Sequence, residues 1–298
     1  MAHLIGLDIG GTKIAGALFD EGGAMLAAAT VTTPDDYGAF LDACVDVVRR
    51  VQDGPANTVG VGIAGRINHA AGSVGGSPNM RFLADRPFRD DLGARLGREI
   101  RLANDANCAA LAEAVDGAGA GRDSVLGLIL GTGVGSGFVH HGKLLDGPNG
   151  LSGEIGHLPL PFREAADGPV VACGCGQQGC IEQSISGGAL ARLYEAMTGA
   201  KADARSIGAQ AIAGDTAALR VLDRYFEVVA KAMVAALHSF DPEIIVVSGG
   251  LNALPKLYDE VPRRWGRYCY APNPKNIFVA AKHGPTSGAR GAAWLWRR

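Results

Sequence analysis

Two segments about 120 residues apart share one outline, and this repeat constrains the fold more than any other feature of the chain. Each is an apolar strand, a tight glycine–threonine turn, and a second apolar strand. In the first, residues 3 to 20, the turn is Asp8-Ile9-Gly10-Gly11-Thr12-Lys13. In the second, Val125 to Leu130 leads through Gly131-Thr132-Gly133 to a strand ending near Val139. Glycines in such turns let backbone N–H groups approach an anion, and Thr12 and Lys13 add a donor and a charge. A helix would have to follow the glycines in a P-loop or a dinucleotide fingerprint. Here a strand follows, so both are excluded. Two such turns facing each other are suited to clamp a polyphosphate from both sides.

Residues 99 to 115 form the corner where chemistry is expected. Ile100 and Leu102 alternate with charged residues as in a short strand, and Ala106 to Val115 has the Ala/Leu content of a helix. Asn104, Asp105 and Asn107 lie at the junction. Ligands of open α/β sheets bind at the carboxyl ends of strands, and a carboxylate there can take a proton from a hydroxyl. The competing reading is that Asp105 only caps the helix. Elsewhere, Thr33-Pro34-Asp35-Asp36 introduces a helix of about 15 residues with Phe40, Leu41, Cys44, Val48 and Val51 on one face. Thr58 to Gly65 reads as a strand ending in Ala64-Gly65, and Ser77-Pro78-Asn79 as a candidate substrate loop. Pro87 to Leu96 is a short amphipathic helix. Residues 186 to 240 are helical with turns at Gly199 and Gly214. Ile244 to Val247 is a buried strand before the glycine turn Ser248-Gly249-Gly250, and Arg290 to Trp296 a final helix that docks on the N-terminal part.

The most specific stretch is 153 to 182. Gly153-Glu154-Ile155-Gly156-His157 precedes Cys173-Gly-Cys175-Gly-Gln-Gln-Gly-Cys180-Ile-Glu182. One histidine and three cysteines supply the four N/S ligands of a closed tetrahedral zinc site. Three of the six cysteines crowd into eight residues, which in a cytosolic chain points to metal rather than disulfides. Glu154 and Glu182 flank the cluster and can present carboxylates to ligand hydroxyls. Twenty-eight basic and 30 acidic side chains nearly cancel, and no basic run suggests nucleic acid or a membrane surface. No stretch is apolar enough to span a bilayer, so a cytoplasmic protein is expected.

With these motifs together, the sequence resembles the ROK family of bacterial sugar kinases over essentially the whole chain. The likeness rests on Asp8-Ile-Gly-Gly-Thr-Lys13, Asn104-Asp105-Ala-Asn107, Leu130-Gly-Thr-Gly-Val-Gly135, Glu154-Ile-Gly-His157, the Cys173 to Glu182 motif and Ser248-Gly-Gly250. The resemblance implies an actin-like ATPase (ribonuclease H-like) fold of two α/β lobes. These are expected at 1–117, joined by the C-terminal helix 289–298, and at 118–288 with the zinc motif. It also implies ATP and Mg2+. Asp8, Gly10, Gly11, Thr12, Lys13, Gly131, Thr132, Gly133, Val134 and Gly135 would lie at the nucleotide phosphates, and Gly249 and Gly250 by the adenosine. Gly65, Asn79, Asn104, Asp105, Glu154, His157 and Glu182 would line the sugar site, with Asp105 the general base. His157, Cys173, Cys175 and Cys180 would hold Zn2+. The partner is a small sugar, with no nucleic acid and no membrane, and a homodimer is expected.

Within the family, Gly127 to Val134 and Cys173 to Gln177 look like its N-acetylglucosamine kinases. Arg101 to Gly117, Pro159-Leu-Pro161 and the tail Arg290 to Trp296 look more like its fructokinases. The first set lies nearer the expected pocket, so phosphorylation of N-acetylglucosamine at its 6-hydroxyl is expected, with a fructokinase or broad hexokinase as the alternative. A sugar-responsive ROK regulator is the remaining reading. It would need a DNA-binding domain ahead of the first turn, where fewer than ten residues stand.

Overall fold

A computed structural model describes residues 3–52, 54, 58–77 and 79–297; Pro78 of the candidate substrate loop lies outside the described residues. The chain divides into two compact units: Met1–Asp123 with Gly137–Gly153 and Lys282–Arg298, and Ser124–Ser136 with Glu154–Ala281.

The elements in chain order are β1 (Leu4–Ile9), β2 (Lys13–Phe19), β3 (Met25–Thr32), α1 (Tyr37–Val51), β4 (Thr58–Ile63), β5 (Arg66–Asn68), β6 (Ser73–Gly75), α2 (Phe88–Leu96), β7 (Ile100–Asn104) and α3 (Asp105–Asp116). There follow β8 (Ser124–Leu130), β9 (Val134–His140), β10 (Lys143–Leu144), α4 (Glu182–Ile185), α5 (Gly187–Thr198), α6 (Ala204–Ile212) and α7 (Thr216–Phe240). The chain finishes with β11 (Ile244–Ser248), α8 (Leu257–Trp265), β12 (Ile277–Ala280) and α9 (Ser287–Trp294). One sheet has the order β3-β2-β1-β4-β7 and the other β10-β9-β8-β11-β12. Followed outward from β1 and from β8, the two orders match strand for strand. The repeat in the sequence is therefore a repeat of topology, the duplicated actin-like arrangement.

In the first unit, β1, β4 and β7 run parallel, with Leu4 opposite Thr58 and Val59 opposite Ile100. Side chains alternate across a strand, and the sequence uses the alternation unequally. Ile5, Leu7, Ile9, Val59, Val61 and Ile63 join Phe40, Leu41, Cys44 and Val48 of α1 in one buried cluster, the face expected for that helix. On the opposite face the positions between them include Gly6, Gly60 and Gly62. Helix α9 lies there backbone to backbone: a Cβ at Gly6 would fall 1.7 Å from the Ala289 carbonyl oxygen, and one at Gly60 1.8 Å from that of Ala292. Gly291 of α9 returns the approach, its missing Cβ 1.7 Å from the Cys108 carbonyl of α3. The final helix thus packs on the N-terminal elements.

A polar clasp closes the same contact. Asp116, at the end of α3, accepts from Arg290 at 2.6 Å and Trp294 Nε1 at 3.2 Å, and its carboxylate lies 2.9 Å from His283 Nε2. Burial alone would raise its pKa, but the bonds from His283 and Trp294 and the Arg290 charge hold it below the usual carboxylate range. Glu113, one turn earlier, accepts the backbone N–H groups of Lys282 and His283 at 3.0 and 2.7 Å.

The second unit is built around α7, 25 residues long, capped by Asp215 and ended by Asp241 in the left-handed region at φ +41°. The glycine stops at Gly199 and Gly214 fall where the helices α5 and α6 end.

Helix propensity alone would make Gly291→Ala stabilising by up to about 1 kcal/mol. The backbone contact reverses the sign: the substitution is expected to cost about 1–3 kcal/mol of overpacking, read as a lowered urea midpoint at constant m-value.

Candidate active site

Within the first unit, β1 and β4 end side by side, with Ala64 N–H donating to Ile9 O at 3.2 Å. Asp8 is half-buried at that end, and the opening turn is closed by Gly10 N–H to Lys13 O at 3.0 Å, leaving Thr12 and Lys13 exposed. Gly11 has no space for a side chain because Asn79 packs on it, 2.5 Å from where its Cβ would stand. Asn79 therefore lies at the opening turn.

The corner at β7–α3 shows which residue caps the helix. Asn104 is the N-cap: its Oδ1 accepts from Ala106 N at 2.8 Å and Asn107 N at 3.4 Å, while its Nδ2 donates to Gly65 O at 3.0 Å. One amide thus satisfies the helix start and ties down the Gly65 loop, whose glycine sits at φ +129°. Asp105 is the first residue of the helix, half-buried, its Oδ1 accepting the adjacent Ala106 N–H at 3.0 Å. The capping role belongs to the neighbour, and the carboxylate is available for other work.

Asp8 and Asp105 share one poorly solvated place. Burial, then the charge of Asp105, pushes Asp8 up to about 6 against the partial relief of Lys13. Burial raises Asp105 as well, over the lowering effect of bonds from the backbone and Asn104. Cys108, one turn along α3 and fully buried, has its thiol raised by burial and then by both carboxylates. Helix α9 adds to the crowding: a Cβ at Gly288 would stand 2.6 to 2.8 Å from the Asp8 carboxylate. Two hard oxygen ligands with unrelieved negative charge suit a divalent cation of the magnesium class. A cavity of about 470 Å³ also lies in this unit, lined by His69, Arg89, Glu99, Arg101 and Leu295 among others, and none of the expected site residues lines it.

The second unit collects the remaining residues. The turn after β8 is tighter than its counterpart, with Gly131 N–H donating to Gly133 O at 3.0 Å. The Glu154–His157 segment packs on the start of β9: a Cβ at Gly156 would lie 2.8 Å from Val134 O. From the other side Glu182 Oε2 accepts the Val134 N–H at 3.2 Å, so that donor is already taken, and Gly135 lies inside β9. Gly249, at φ +88°, allows the loop after β11 to cross Leu130, and Leu251 N–H donates to Leu130 O at 3.0 Å. Sequence reasoning missed one participant. Gly187, at the N-terminus of α5, donates its N–H to Gly131 O at 2.8 Å. The signal was present in Ser186-Gly187-Gly188, a serine cap followed by paired glycines.

The ligand atoms of His157, Cys173, Cys175 and Cys180 all lie within 4.8 Å of one another. His157 Nδ1 is 3.6 Å from Cys173 Sγ, and Cys175 Sγ is 3.7 Å from Cys180 Sγ. A tetrahedron with zinc bond lengths of about 2.0 Å to nitrogen and about 2.3 Å to sulfur has edges of about 3.5 Å and about 3.8 Å. The donor set fits, and these two separations match such edges. His157 Nδ1 faces the cluster, while Nε2 lies 3.8 Å from Glu154 Oε2. Glu182 Oε1 is 3.7 Å from Cys173 Sγ, so Glu182 touches both the cysteine cluster and the second glycine turn.

Comparisons with known proteins agree with one another. The sequence model described as the ROK family matches residues 4–298. The chain is 38% identical over 299 residues to the N-acetyl-D-glucosamine kinase of Haemophilus influenzae (strain 86-028NP), covering 98% of each protein. Among solved structures it resembles the ROK hexokinase of Thermus thermophilus, with TM-score 0.80 and 34% identity over 98% of this chain and 97% of that one. It also resembles a ROK glucokinase of Streptomyces griseus in complex with glucose and AMPPNP, with TM-score 0.78 and 32% identity over 99% of both chains.

The raised Asp8 carboxyl has a consequence for stability. Its proton is held in the folded state at pH values where the unfolded chain has released it, so stability falls as pH rises from about 4 through 6. Asp8→Asn is expected to flatten that part of the profile, measured as urea unfolding free energy against pH.

Proposed function

From the premise that the chain belongs to the ROK family, we propose that it is an ATP-dependent sugar kinase that phosphorylates N-acetyl-D-glucosamine on its 6-hydroxyl. The observation that carries the reading is local: Asn104 caps α3, so the helix start asks of Asp105 only a bond to the adjacent Ala106 N–H, and its half-buried carboxylate stands at the strand end. A scaffold would have no need for a raised, half-buried carboxylate at that point.

Phosphoryl transfer depends on placement and charge neutralisation more than on covalent help. The sugar O6 attacks the γ-phosphorus, the O6–P bond forms as the bond to the β-phosphate oxygen breaks, and the hydroxyl proton passes to Asp105 Oδ. Asn104 keeps that oxygen in register through its bonds to the helix start and to Gly65. Of the two turns, Gly11, Thr12, Thr132 and Gly133 offer backbone N–H groups, the two threonines their hydroxyls and Lys13 its charge to the phosphates, while the N–H groups of Gly10, Gly131 and Val134 brace the turns themselves. The loop of Gly249 and Gly250 lies by the adenosine. Asp8 would hold magnesium through water, and the ion supplies charge neutralisation on the transferring phosphoryl group. Gly65, Asn79, Asn104, Glu154, His157 and Glu182 bind the sugar. His157 would ligate zinc through Nδ1 and meet a sugar hydroxyl through Nε2, so that the metal, with Cys173, Cys175 and Cys180, sets the orientation of a substrate ligand.

The name of the Haemophilus influenzae relative, at 38% identity over nearly the full length of both chains, favours N-acetylglucosamine over fructose. A site that bonds the N-acetyl amide rejects a sugar lacking it, because its polar groups are left unpaired. No helix among the described residues is long and apolar enough to cross a membrane. A cytoplasmic homodimer completes the reading.

Asp105→Asn is expected to lower kcat by about 10²–10⁴-fold with sugar binding largely kept, as measured by a coupled ADP assay and sugar titration. Near-normal kcat would return Asp105 to a structural role. In the same assay, kcat/KM is expected to favour N-acetylglucosamine. A tenfold preference for fructose, about 1.4 kcal/mol of transition-state discrimination, would reverse the substrate and leave the kinase. Elemental analysis should find about one zinc per chain, lost in Cys175→Ser together with stability, since structural zinc contributes directly to folding.

A further inference from the structure

The chain between His157 and Cys173 has little regular structure to hold its shape. Its two ends pair with the cysteine loop, Leu160 N–H donating to Gly179 O at 3.1 Å and Gly179 N–H to Val171 O at 3.3 Å. Between them residues 161–170 contain one 3-10 turn, Ala165–Asp167. The strap opens at Phe162 with φ +52°, a conformation that a bulky side chain takes only when its surroundings impose it.

Phe162 packs on Tyr268, and helix α7 holds the strap from Glu164 onward. Lys231 is completely buried, with Nζ 3.0 and 3.2 Å from the two oxygens of Asp167, itself fully buried, and 3.1 Å from Glu164 Oε2. Two turns earlier on the same face, Arg224 donates to Asp167 Oδ1 at 2.5 Å, Glu164 Oε2 at 2.7 Å and Ala166 O at 3.2 Å. Tyr268 lays its ring 5.5 Å from Lys231 Nζ. Glu227, between the two cations along the helix, is engaged by Arg264, Arg267 and Tyr268. On the strap itself Arg163 ties Gly168 O, at 2.8 Å, to Ser184 Oγ of α4, at 3.1 Å, just beyond Cys180.

A buried ion pair recovers by attraction little more than it loses by leaving water, and a well-packed apolar pair often does as well. Such a network is better suited to fixing geometry than to adding stability. We propose that Lys231 and Arg224 are positioning residues for the metal centre: through Asp167 and Glu164 they pin the strap so that His157 Nδ1 and Cys173 Sγ stand 3.6 Å apart, the spacing of two ligands on one metal. This rests on the reading of the four-residue cluster as a metal site. It assigns a role in that site to residues that contact neither metal nor sugar.

The test uses the full-length protein stripped of metal and reloaded with Co2+, whose ligand-field bands report a tetrahedral thiolate site, and with Zn2+ for release to a chromogenic chelator. Removing Lys231 alone strands a buried carboxylate and threatens folding, so the variants are the charge-free pair Lys231→Met with Asp167→Leu, and Arg224→Gln. Both are expected to fold by circular dichroism, to release Zn2+ at least tenfold faster than wild type, and to show weakened, shifted cobalt bands. KM for the sugar should rise several-fold with kcat changed less than threefold. Release rates within twofold of wild type and an unaltered cobalt spectrum in either folded variant would overturn the positioning role while leaving the metal site in place. A wild-type protein that takes up no cobalt would overturn the metal reading, and this proposal with it.

Discussion

The contact on which the first unit depends is the packing of α9 against β1, β4 and α3 without intervening side chains. Gly6, Gly60 and Gly291 permit it, each with a backbone oxygen where a Cβ would stand. Dispersion attraction falls steeply with separation, so a helix seated this closely is held firmly and tolerates no added methyl. The consequence reaches the chemistry. The same helix sets Gly288 against the Asp8 carboxylate and Gly291 against Cys108, one turn after Asp105. Two carboxylates from distant parts of the sequence are thereby enclosed in one poorly solvated place, and both are pushed toward their protonated forms. That unrelieved negative charge is what a divalent cation is suited to settle.

In the second unit a different device holds the functional residues together. Val134 offers its carbonyl side to Gly156 and its N–H to Glu182, so the second glycine turn, the Glu154–His157 segment and the cysteine loop meet at one residue. The cysteine loop has few backbone pairs of its own. Its cysteines join His157 in the gathered set of four N/S donors on one side, and the strap before it is anchored to α7 by the Lys231–Asp167 ion pair on the other.

Much of this is legible in the sequence wherever a segment's pattern is imposed by its own neighbours. The face of α1, the stops at Gly199 and Gly214, the strand–turn–strand repeat and the Cys173 to Cys180 cluster are of this kind. The sequence is silent where the cause lies elsewhere in the chain. Helix α8 carries Pro262 in its interior, which removes a helical N–H and argues locally against a helix. The helix is held by the buried Trp265 and by Arg264, bonded to Glu260, Asp223 and Glu227. The return of Gly137–Gly153 to the first unit leaves no mark on composition or periodicity.

By itself the sequence determined the strand–glycine turn–strand repeat, since period-2 runs broken by glycine turns are local patterns; the matching order of the two five-stranded sheets is a property of the fold. It also determined the supply of four N/S donors, His157, Cys173, Cys175 and Cys180, which the fold gathers within 4.8 Å of one another. Only the tertiary structure decided which of Asn104 and Asp105 caps the helix, because either residue can do so and the choice turns on a carbonyl, Gly65 O, some 40 residues away. Only the tertiary structure raised Asp8, for burial and the charge of Asp105 act through space. It alone gave Lys231, an unremarkable lysine in a helical pattern, its two carboxylate partners. Local pattern records what a residue does for its own element. Charge, desolvation and close backbone contact depend on what the fold brings beside it.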